Sequence, residues 1–213
     1  MNSPRYTYIR DPQAIYRRSF AMIEEEADLA RFPDGLRSLA LRLAHAAGDV
    51  TILDDLVCSK DAVAAGTAAL RSGATILVDS SMVSAGIIAK RLPARNQIVC
   101  MLQDPRAQEI AAQLKTTRSA AAVELWRAHL AGAVVAIGSA PTALFHLLEI
   151  IGAGAGKPAL VLGFPVGFVG AAESKAALAE FGMGLDFIAL QGRRGGSALA
   201  AAAVNALAGE AKP

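Results

Sequence analysis

The stretch that decides the fold is Gly163-Phe164-Pro165-Val166-Gly167-Phe168-Val169-Gly170-Ala171-Ala172-Glu173-Ser174-Lys175. It follows a short apolar run, Pro158 to Leu162, which is typical of a buried strand. It leads into Glu173–Phe181, which has the pattern of a helix. A strand that ends in a glycine-rich loop opening a helix is where open α/β sheets bind their ligands. The stretch therefore predicts both a parallel sheet and a ligand site at its edge.

The loop within this stretch has no charged residue. Gly167 and Gly170 allow the backbone to take positive φ and allow a ligand to approach closely. Phe168 and Val169 would leave apolar surface in the loop. We therefore expect a large flat ligand here rather than a bare phosphate.

Outward from this stretch, strands and helices alternate. Five short β-rich runs are nearly continuously apolar, as expected for parallel strands covered on both faces: Thr75–Asp79, Gln97–Leu102, Ala133–Gly138, Ala159–Gly163 and Asp186–Leu190. Helical patterns lie between and after them: Met82–Leu92, Arg118–Leu130, Pro141–Gly152, Glu173–Phe181 and Ser197–Leu207. About three more precede the first strand: Pro12–Ala30, Gly35–Ala47 and Lys60–Ser72. The sequence predicts an α/β fold with three layers, α/β/α, a five-stranded parallel, Rossmann-like sheet and extra N-terminal helices.

Composition limits the class of protein. The chain has 213 residues, of which 54% are hydrophobic, so we expect one domain spanning residues 1–213. The 21 Lys and Arg residues against 19 Asp and Glu form no basic block, which argues against nucleic acid as a partner. Cys58 and Cys100 are far apart and are expected to be buried thiols in a reducing cytoplasm, with no metal site. Leu130–Leu148 is apolar but is interrupted at Gly138–Pro141, so we expect a strand and a helix there rather than a membrane span.

Two nucleotide-binding motifs are tested and rejected. The run Gly152–Pro158 resembles a phosphate loop, but Pro158 stands where Ser or Thr should coordinate magnesium. The run also precedes a strand instead of following one. No G-x-G-x-x-G follows any predicted strand, which argues against a Rossmann-type cofactor.

His45 is the histidine with the strongest functional signal. It lies off the apolar stripe of its predicted helix, three residues after Arg42 and on the same face. A guanidinium close to an imidazole disfavours the cationic imidazole, so His45 is a candidate for proton transfer. His129 and His146 are interpreted as structural residues at a helix end and on a helix flank.

Other candidates are Arg118 and the small residues that follow strands. Arg118 follows the predicted N-cap Thr117. The backbone N–H groups at the start of this helix and the Arg118 guanidinium could therefore bind the same carboxylate. Ser139, Gly195 and Gly196 follow two strands and offer free backbone N–H groups at the same edge of the sheet. Ser19, in the first helix, has no signal of its own.

Taken together, these residues resemble the precorrin-8X methylmutase family from Tyr8 nearly to the C-terminal end of the chain. The marks of the resemblance are Ala14-Ile15-Tyr16-Arg17-Arg18-Ser19-Phe20, Arg42-x-x-His45, Thr117-Arg118-Ser119-Ala120-Ala121, Ala140-Pro141-Thr142-Ala143-Leu144, Pro165-Val166-Gly167-Phe168-Val169, Glu173-Ser174-Lys175 and Gly195-Gly196-Ser197. One departure is Ser139, where the family commonly has Asn.

The resemblance implies a function and a site. The family moves a methyl group within ring C of precorrin-8X, giving hydrogenobyrinic acid in cobalamin biosynthesis, with no cofactor and no metal. It implies that His45 is the catalytic proton donor and that Ser19, Arg42 and Arg118 contact the tetrapyrrole. It also implies a homodimer.

Three alternatives stay open. The substrate could be the cobalt-containing precorrin of the anaerobic route, or the protein could be a tetrapyrrole carrier without catalysis. The missing phosphate loops disfavour the third, a nucleotide-dependent enzyme.

Overall fold

A computed structural model of the chain describes residues 6–209. Within that range, six strands form one sheet: β1 Leu56–Cys58, β2 Ile76–Val78, β3 Ile98–Val99, β4 Val134–Ile137, β5 Leu160–Gly163 and β6 Phe187–Leu190. The strand order is β1-β6-β5-β4-β2-β3. All neighbouring strands are parallel except β1, which runs antiparallel to β6.

The α-helices of the described residues are α1 Pro12–Glu26, α2 Asp34–Ala47, α3 Ala62–Arg71, α4 Ser81–Gly86, α5 Pro105–Leu114, α6 Arg118–Glu124, α7 Pro141–Gly152, α8 Ala171–Glu180 and α9 Ser197–Leu207. Two apolar cores lie on opposite faces of the sheet. Side chains of α2, α3 and α9 form one core, and those of α6, α7 and α8 form the other. The predicted three-layer α/β/α arrangement is confirmed.

The prediction of five strands is corrected to six. The five predicted strands are all present and mutually parallel, but β1 lies antiparallel at the edge, with Leu56 opposite Leu190. This strand has only three residues, all of them half-buried, and it lies between charged segments. Such a short edge strand has neither the continuous apolar run nor the alternation that identifies a strand in sequence.

Helix α5 was missed by the sequence analysis although its start signal is present. Asp104 is the N-cap and accepts a hydrogen bond from the Arg106 N–H, and Pro105 occupies the first helical position. Its outward face is polar, and Ala107 is its one fully buried residue. A helix with so narrow an apolar face gives a weak periodic signal.

The predicted helix Met82–Leu92 is shorter than expected. α4 ends at Gly86, and a separate 3₁₀ turn covers Ala89–Arg91. The Asn205 side chain accepts a hydrogen bond from the Ile88 N–H and donates one to the Gly86 carbonyl. A side chain from α9 thus satisfies the backbone groups that continuing the helix would have used.

The segment that raised the question of a membrane span divides as predicted. It contains β4 and then α7, with the turn between them at Gly138–Ala140. Within residues 6–209, none of the helices combines the length and the apolar character that crossing a bilayer requires.

Candidate active site at the carboxyl edge of the sheet

His45 lies in the last turn of α2, which ends at Gly48 in the left-handed conformation. The apolar stripe of α2, with Leu39 and Leu43 fully buried, fixes the helix against the core. That packing leaves His45 half-buried and facing α1. The Ser19 Oγ on α1 lies 2.8 Å from His45 Nδ1.

Aromatic rings hold the imidazole from two sides. The Tyr16 and Phe20 ring centroids lie 5.2 and 5.3 Å from that of His45, and the Phe20 ring meets it edge to face. The Arg42 guanidinium carbon lies 5.9 Å from the Phe20 centroid. The structure therefore brings Ser19, Arg42 and His45 into one cluster around Phe20.

The second ring nitrogen of His45 is open to a ligand. Among residues 6–209, Nε2 of His45 makes no hydrogen bond. His45 forms part of the wall of an open cavity of about 610 Å³ between α1, α2 and the segment after α2, the His45 cavity. Its wall is mostly apolar, with Ile9, Ile15, Met22, Ile23 and Val50. Besides His45, the charged or polar side chains of the wall are Arg18, Ser19, Glu26, Asp49 and Thr51.

A groove next to the His45 cavity continues the site towards the β6–α9 loop. Asp49 belongs to the walls of both, and the groove also contains Val166, Arg194 and Gly195. Hydrogen bonds from Thr51, together with the Arg194 guanidinium, hold the pKa of Asp49 below its usual value. Gly195, predicted from sequence alone, thus lies in a groove that adjoins the His45 cavity.

The two glycine loops, which connect β5 to α8 and β6 to α9, are in direct contact with each other. The Gly196 N–H donates to the Phe164 carbonyl at 2.7 Å, and the Gly167 N–H donates to the Arg193 carbonyl at 3.2 Å. Gly167 has φ +147° and Gly170 has φ +79°, as predicted from the sequence. Phe168 and Val169 are 85% and 88% exposed, which confirms the predicted apolar surface.

Arg118 and Ser139 lie farther along the same edge of the sheet. In the described part of the chain, neither belongs to the wall of the His45 cavity. Arg118 is exposed at the first position of α6, after the N-cap Thr117, whose hydroxyl accepts from the Ala120 N–H. Thr117 Oγ1 also lies 2.8 Å from Thr142 Oγ1 at the start of α7, so the two helix starts adjoin.

Asp79 is a residue of this edge that the sequence analysis missed. Its buried carboxylate accepts hydrogen bonds from the backbone N–H groups of Gly138, Ser139 and Ala140 at 2.8–2.9 Å. Burial raises the pKa of Asp79, although these three donors act in the opposite direction. The signal was available, because Asp79 is the last residue of the predicted strand Thr75–Asp79 and directly follows the observed strand β2. Its carboxylate fixes the turn in which Ser139 lies exposed. The backbone N–H groups of Ser139 and Gly196 are both hydrogen-bonded within the fold, so the prediction that these two are free is wrong.

Arg194 and Lys175 were also missed. Arg194 makes hydrogen bonds to Asp49, Thr51 and Asp55, and these join the β6–α9 loop to the segment after α2. Lys175, on α8, is fully buried, and its Nζ donates to the Arg194 carbonyl at 2.6 Å. Both side chains act across the fold, so their spacing in sequence gives no local signal.

The remaining histidines and cysteines lie apart from the His45 cavity. His146 lies between two carboxylates, with Nε2 2.7 Å from Glu124 and Nδ1 3.1 Å from Glu149. Cys58 and Cys100 are free and only half-buried, and this burial raises the pKa of both thiols. Within residues 6–209, His, Cys, Asp and Glu side chains form no group of three or more that could hold a metal ion.

Comparison with known proteins decides the family. The family model for precorrin-8X methylmutase matches residues 14–210. The chain belongs to the precorrin-8X methylmutase family. A precorrin-8X methylmutase of Pseudomonas aeruginosa is 59% identical over 95% of this chain and 98% of its own length. A cobalt-precorrin-8 methylmutase of Salmonella typhimurium is 40% identical, over 94% of this chain and 96% of its own.

A solved structure of the family has the same fold. The precorrin-8X methylmutase of Thermus thermophilus superimposes with a TM-score of 0.83, over 92% of this chain and 94% of the other, at 40% identity. The superposition covers most of the chain, so the fold described above is that of the family. The resemblance stated from motifs alone is therefore confirmed at the level of the family.

The Ser19–His45 hydrogen bond gives a first prediction for this family member. We expect Ser19→Ala to lower kcat about 10-fold, because one lost hydrogen bond of about 1.4 kcal/mol no longer holds the imidazole. Steady-state kinetics with precorrin-8X measures the effect. Ser38→Ala, an exposed serine on the same helix as His45, should retain the activity of the parent. An unchanged kcat for Ser19→Ala would show that the bond does not orient His45 for the reaction.

Proposed function

We propose that this protein is an isomerase that moves a methyl group between neighbouring carbons of ring C in precorrin-8X, giving hydrogenobyrinic acid. The observation that carries the proposal is the pairing of Ser19 with His45 in the wall of a largely apolar cavity, in a chain of the precorrin-8X methylmutase family. The reaction is an internal rearrangement, so the proposal needs no cofactor. No fragment of the substrate is released in the reaction.

In the proposed mechanism His45 donates a proton and takes it back. Ser19 occupies Nδ1, so Nε2 is the nitrogen that meets the substrate. Proton donation from Nε2 to the ring-C nitrogen draws electrons from the conjugated ring and weakens the bond to the migrating methyl group. The methyl group bonds to the neighbouring carbon as the first bond breaks. The ring nitrogen then returns the proton to His45, which restores the enzyme.

Binding is assigned to cationic side chains and to the two glycine loops. Precorrin-8X carries several peripheral carboxylates, and Arg42 and Arg118 are proposed to hold them by charge-assisted hydrogen bonds. Ser139, Gly167, Phe168, Gly195 and Gly196 are proposed to contact the ring or its side chains along the carboxyl edge of the sheet. The apolar wall of the His45 cavity supports the proposal, because apolar side chains packed against a bound ring would keep water from that side of it.

The metal-free substrate is favoured over the cobalt-containing one. A precorrin-8X methylmutase of a Sinorhizobium species is 56% identical to this chain, and that of Pseudomonas aeruginosa is 59% identical. The cobalt-precorrin-8 methylmutases of Salmonella typhimurium and Priestia megaterium are 40% and 38% identical. Sequence similarity therefore supports the aerobic substrate.

The function is tested by mixing purified protein with metal-free precorrin-8X and recording the visible absorption spectrum over time. We expect conversion to the spectrum of hydrogenobyrinic acid with no added cofactor. A bound but unchanged spectrum would point to the cobalt substrate or to a carrier, and a parallel reaction with cobalt-precorrin-8 separates these two. Absence of binding to either tetrapyrrole would overturn the proposal.

We also propose a cytoplasmic homodimer, as the resemblance implies. Exposed apolar side chains on and before α1, together with those of the loop between β5 and α8, support a surface that a second copy covers: Tyr8, Ile9, Ile15, Tyr16, Met22, Phe168 and Val169. Free half-buried thiols are compatible with a reducing compartment. Light scattering coupled to gel filtration measures the mass in solution. A monomeric mass at micromolar concentration would contradict the homodimer.

A further inference from the structure

Lys175 is a buried cation, and its burial does not stabilise the fold. Its side chain is fully buried on α8, and within residues 6–209 it forms no salt bridge. In the described part of the chain its side chain makes one hydrogen bond, to an uncharged acceptor, the Arg194 carbonyl, at 2.6 Å. Burial of an ammonium group without a carboxylate partner costs stability, and an apolar side chain of similar size would avoid that cost. Burial accordingly lowers the pKa of Lys175 to about 8, although the Asp55 carboxylate acts in the opposite direction.

Arg194, whose carbonyl accepts the Lys175 hydrogen bond, joins the β6–α9 loop to the segment that follows α2. The Arg194 guanidinium donates to Asp55 Oδ2 at 2.7 and 3.0 Å and to Thr51 Oγ1 at 2.7 Å. It also donates to Asp49 Oδ2 at 3.2 Å. Asp49 follows α2 and belongs to the wall of the His45 cavity. Arg194 therefore receives a bond from α8 on its carbonyl and binds the segment after the His45 helix with its side chain.

The residue next to Arg194 has no freedom to move towards the sheet. A Cβ on Gly195 would lie 2.3 Å from the Phe164 carbonyl oxygen and 2.6 Å from that of Pro165. The β6–α9 loop thus packs directly against the loop that follows β5. Lys175, on α8, donates its hydrogen bond to Arg194 in the β6–α9 loop. A shift of the Arg194 carbonyl would change where Gly195 and Gly196 lie relative to His45.

We propose that Lys175 is a positioning residue of the isomerase: its buried ammonium group fixes Arg194 and so sets the distance between the glycine pair Gly195–Gly196 and His45 across the substrate site. The inference rests on the proposed function and on its site. Lys175 does not touch the substrate, because its side chain is buried beneath the loop. It acts through Arg194, which ties the loop to the segment that follows α2. Precise placement of a large ring against a proton donor is a sensitive contribution to rate.

The test compares Lys175→Met with the parent protein, using full-length chain and precorrin-8X. We expect Lys175→Met to be about as stable as the parent, because removal of the buried charge offsets the loss of the hydrogen bond to the Arg194 carbonyl, while kcat falls at least 10-fold and KM changes less. Lys157→Met is the matched control. Lys157 also donates to a backbone carbonyl, that of Met183, but it is exposed and lies away from the site, so its removal should leave kcat unchanged.

A double-mutant cycle tests the route through Arg194. If Lys175 acts through Arg194, Lys175→Met and Arg194→Gln together should lower kcat little more than Arg194→Gln alone. Additive losses would contradict that route. Reduced stability of Lys175→Met with full activity per folded molecule would assign Lys175 a purely structural role, and stability and kcat both at parent level would also overturn the proposal.

A stability measurement checks the buried charge independently of activity. Unfolding returns Lys175 to its ordinary pKa, so between about pH 8 and that value the unfolded chain binds more protons than the folded one. The free energy of unfolding of the parent should therefore rise with pH across this window relative to Lys175→Met. A constant difference would show that Lys175 is not buried as a cation. If the parent does not convert precorrin-8X at all, the proposed function fails, whereas this pH dependence would still stand.

Discussion

His45→Ala is expected to lower kcat for the conversion of precorrin-8X by roughly 10²–10⁴-fold, the contribution typical of a positioned general acid. The physical reason is that Nε2, the ring nitrogen left open by the Ser19 bond, is the proposed proton donor. Binding should largely survive, because the apolar wall of the His45 cavity and the proposed cationic contacts are unchanged. Initial rates followed in the visible spectrum measure turnover, and titration of the tetrapyrrole spectrum measures binding.

This experiment also separates an enzyme from a carrier. His129→Ala is the matched control, because His129 is exposed at the end of a 3₁₀ turn that does not belong to the cavity wall. The control should have parent kinetics. Turnover that persists in His45→Ala at the parent rate would remove His45 as proton donor. A parent protein that binds without turnover would instead favour the carrier.

Gly195→Ala is expected to reduce the free energy of unfolding by about 3 kcal/mol, at the upper end of the usual cost of overpacking. The added Cβ would lie 2.3 Å from the Phe164 carbonyl oxygen. The main chain fixes the position of the Cβ and the oxygen is a main-chain atom, so no side-chain rotation relieves the clash. Denaturant unfolding followed by circular dichroism measures the effect. The same variant should also weaken substrate binding, since the groove beside the His45 cavity contains Gly195.

Gly152→Ala provides the contrasting control. Gly152 is the last residue of α7, and no atom lies within 4 Å of the position that its Cβ would take. Alanine is the better helix former by about 1 kcal/mol, so this variant should be unchanged or slightly more stable. Equal stability of both variants would show that the β6–α9 loop can move away from the Phe164 carbonyl at little cost.

The layers and the parallel strands could be predicted from sequence because each of these elements has its own short hydrophobic pattern. Parallel strands such as β4 and β5 are buried on both faces, so their apolar runs identify them without any knowledge of neighbours. The same holds for helices with a wide apolar face, and the bounds of α7 and α9 are those predicted. β1 and α5 were missed because one is a three-residue edge strand and the other buries little.

In the candidate site, too, residues with a local sequence signal were predicted and residues defined by long-range contacts were not. His45 was found because an imidazole off the apolar stripe of a helix is visible in one turn of sequence. Ser19 was assigned through the family resemblance, and its contact with His45 became visible only in the structure. Arg194 and Lys175 act on residues far away in the chain, so nothing near them in sequence predicts their contacts. The roles of Arg118, Ser139 and the glycines remain predictions.

The Arg194–Asp49 contact joins residues 145 positions apart in the chain, and it has a consequence for how the protein is made. During synthesis α2 leaves the ribosome well before the β6–α9 loop that completes its surroundings. β1 likewise acquires its only partner strand in the described chain when β6 appears. Nascent chains that stop before Arg194 should therefore have an incomplete tetrapyrrole-binding site, so a working molecule requires the β6–α9 loop to have been made.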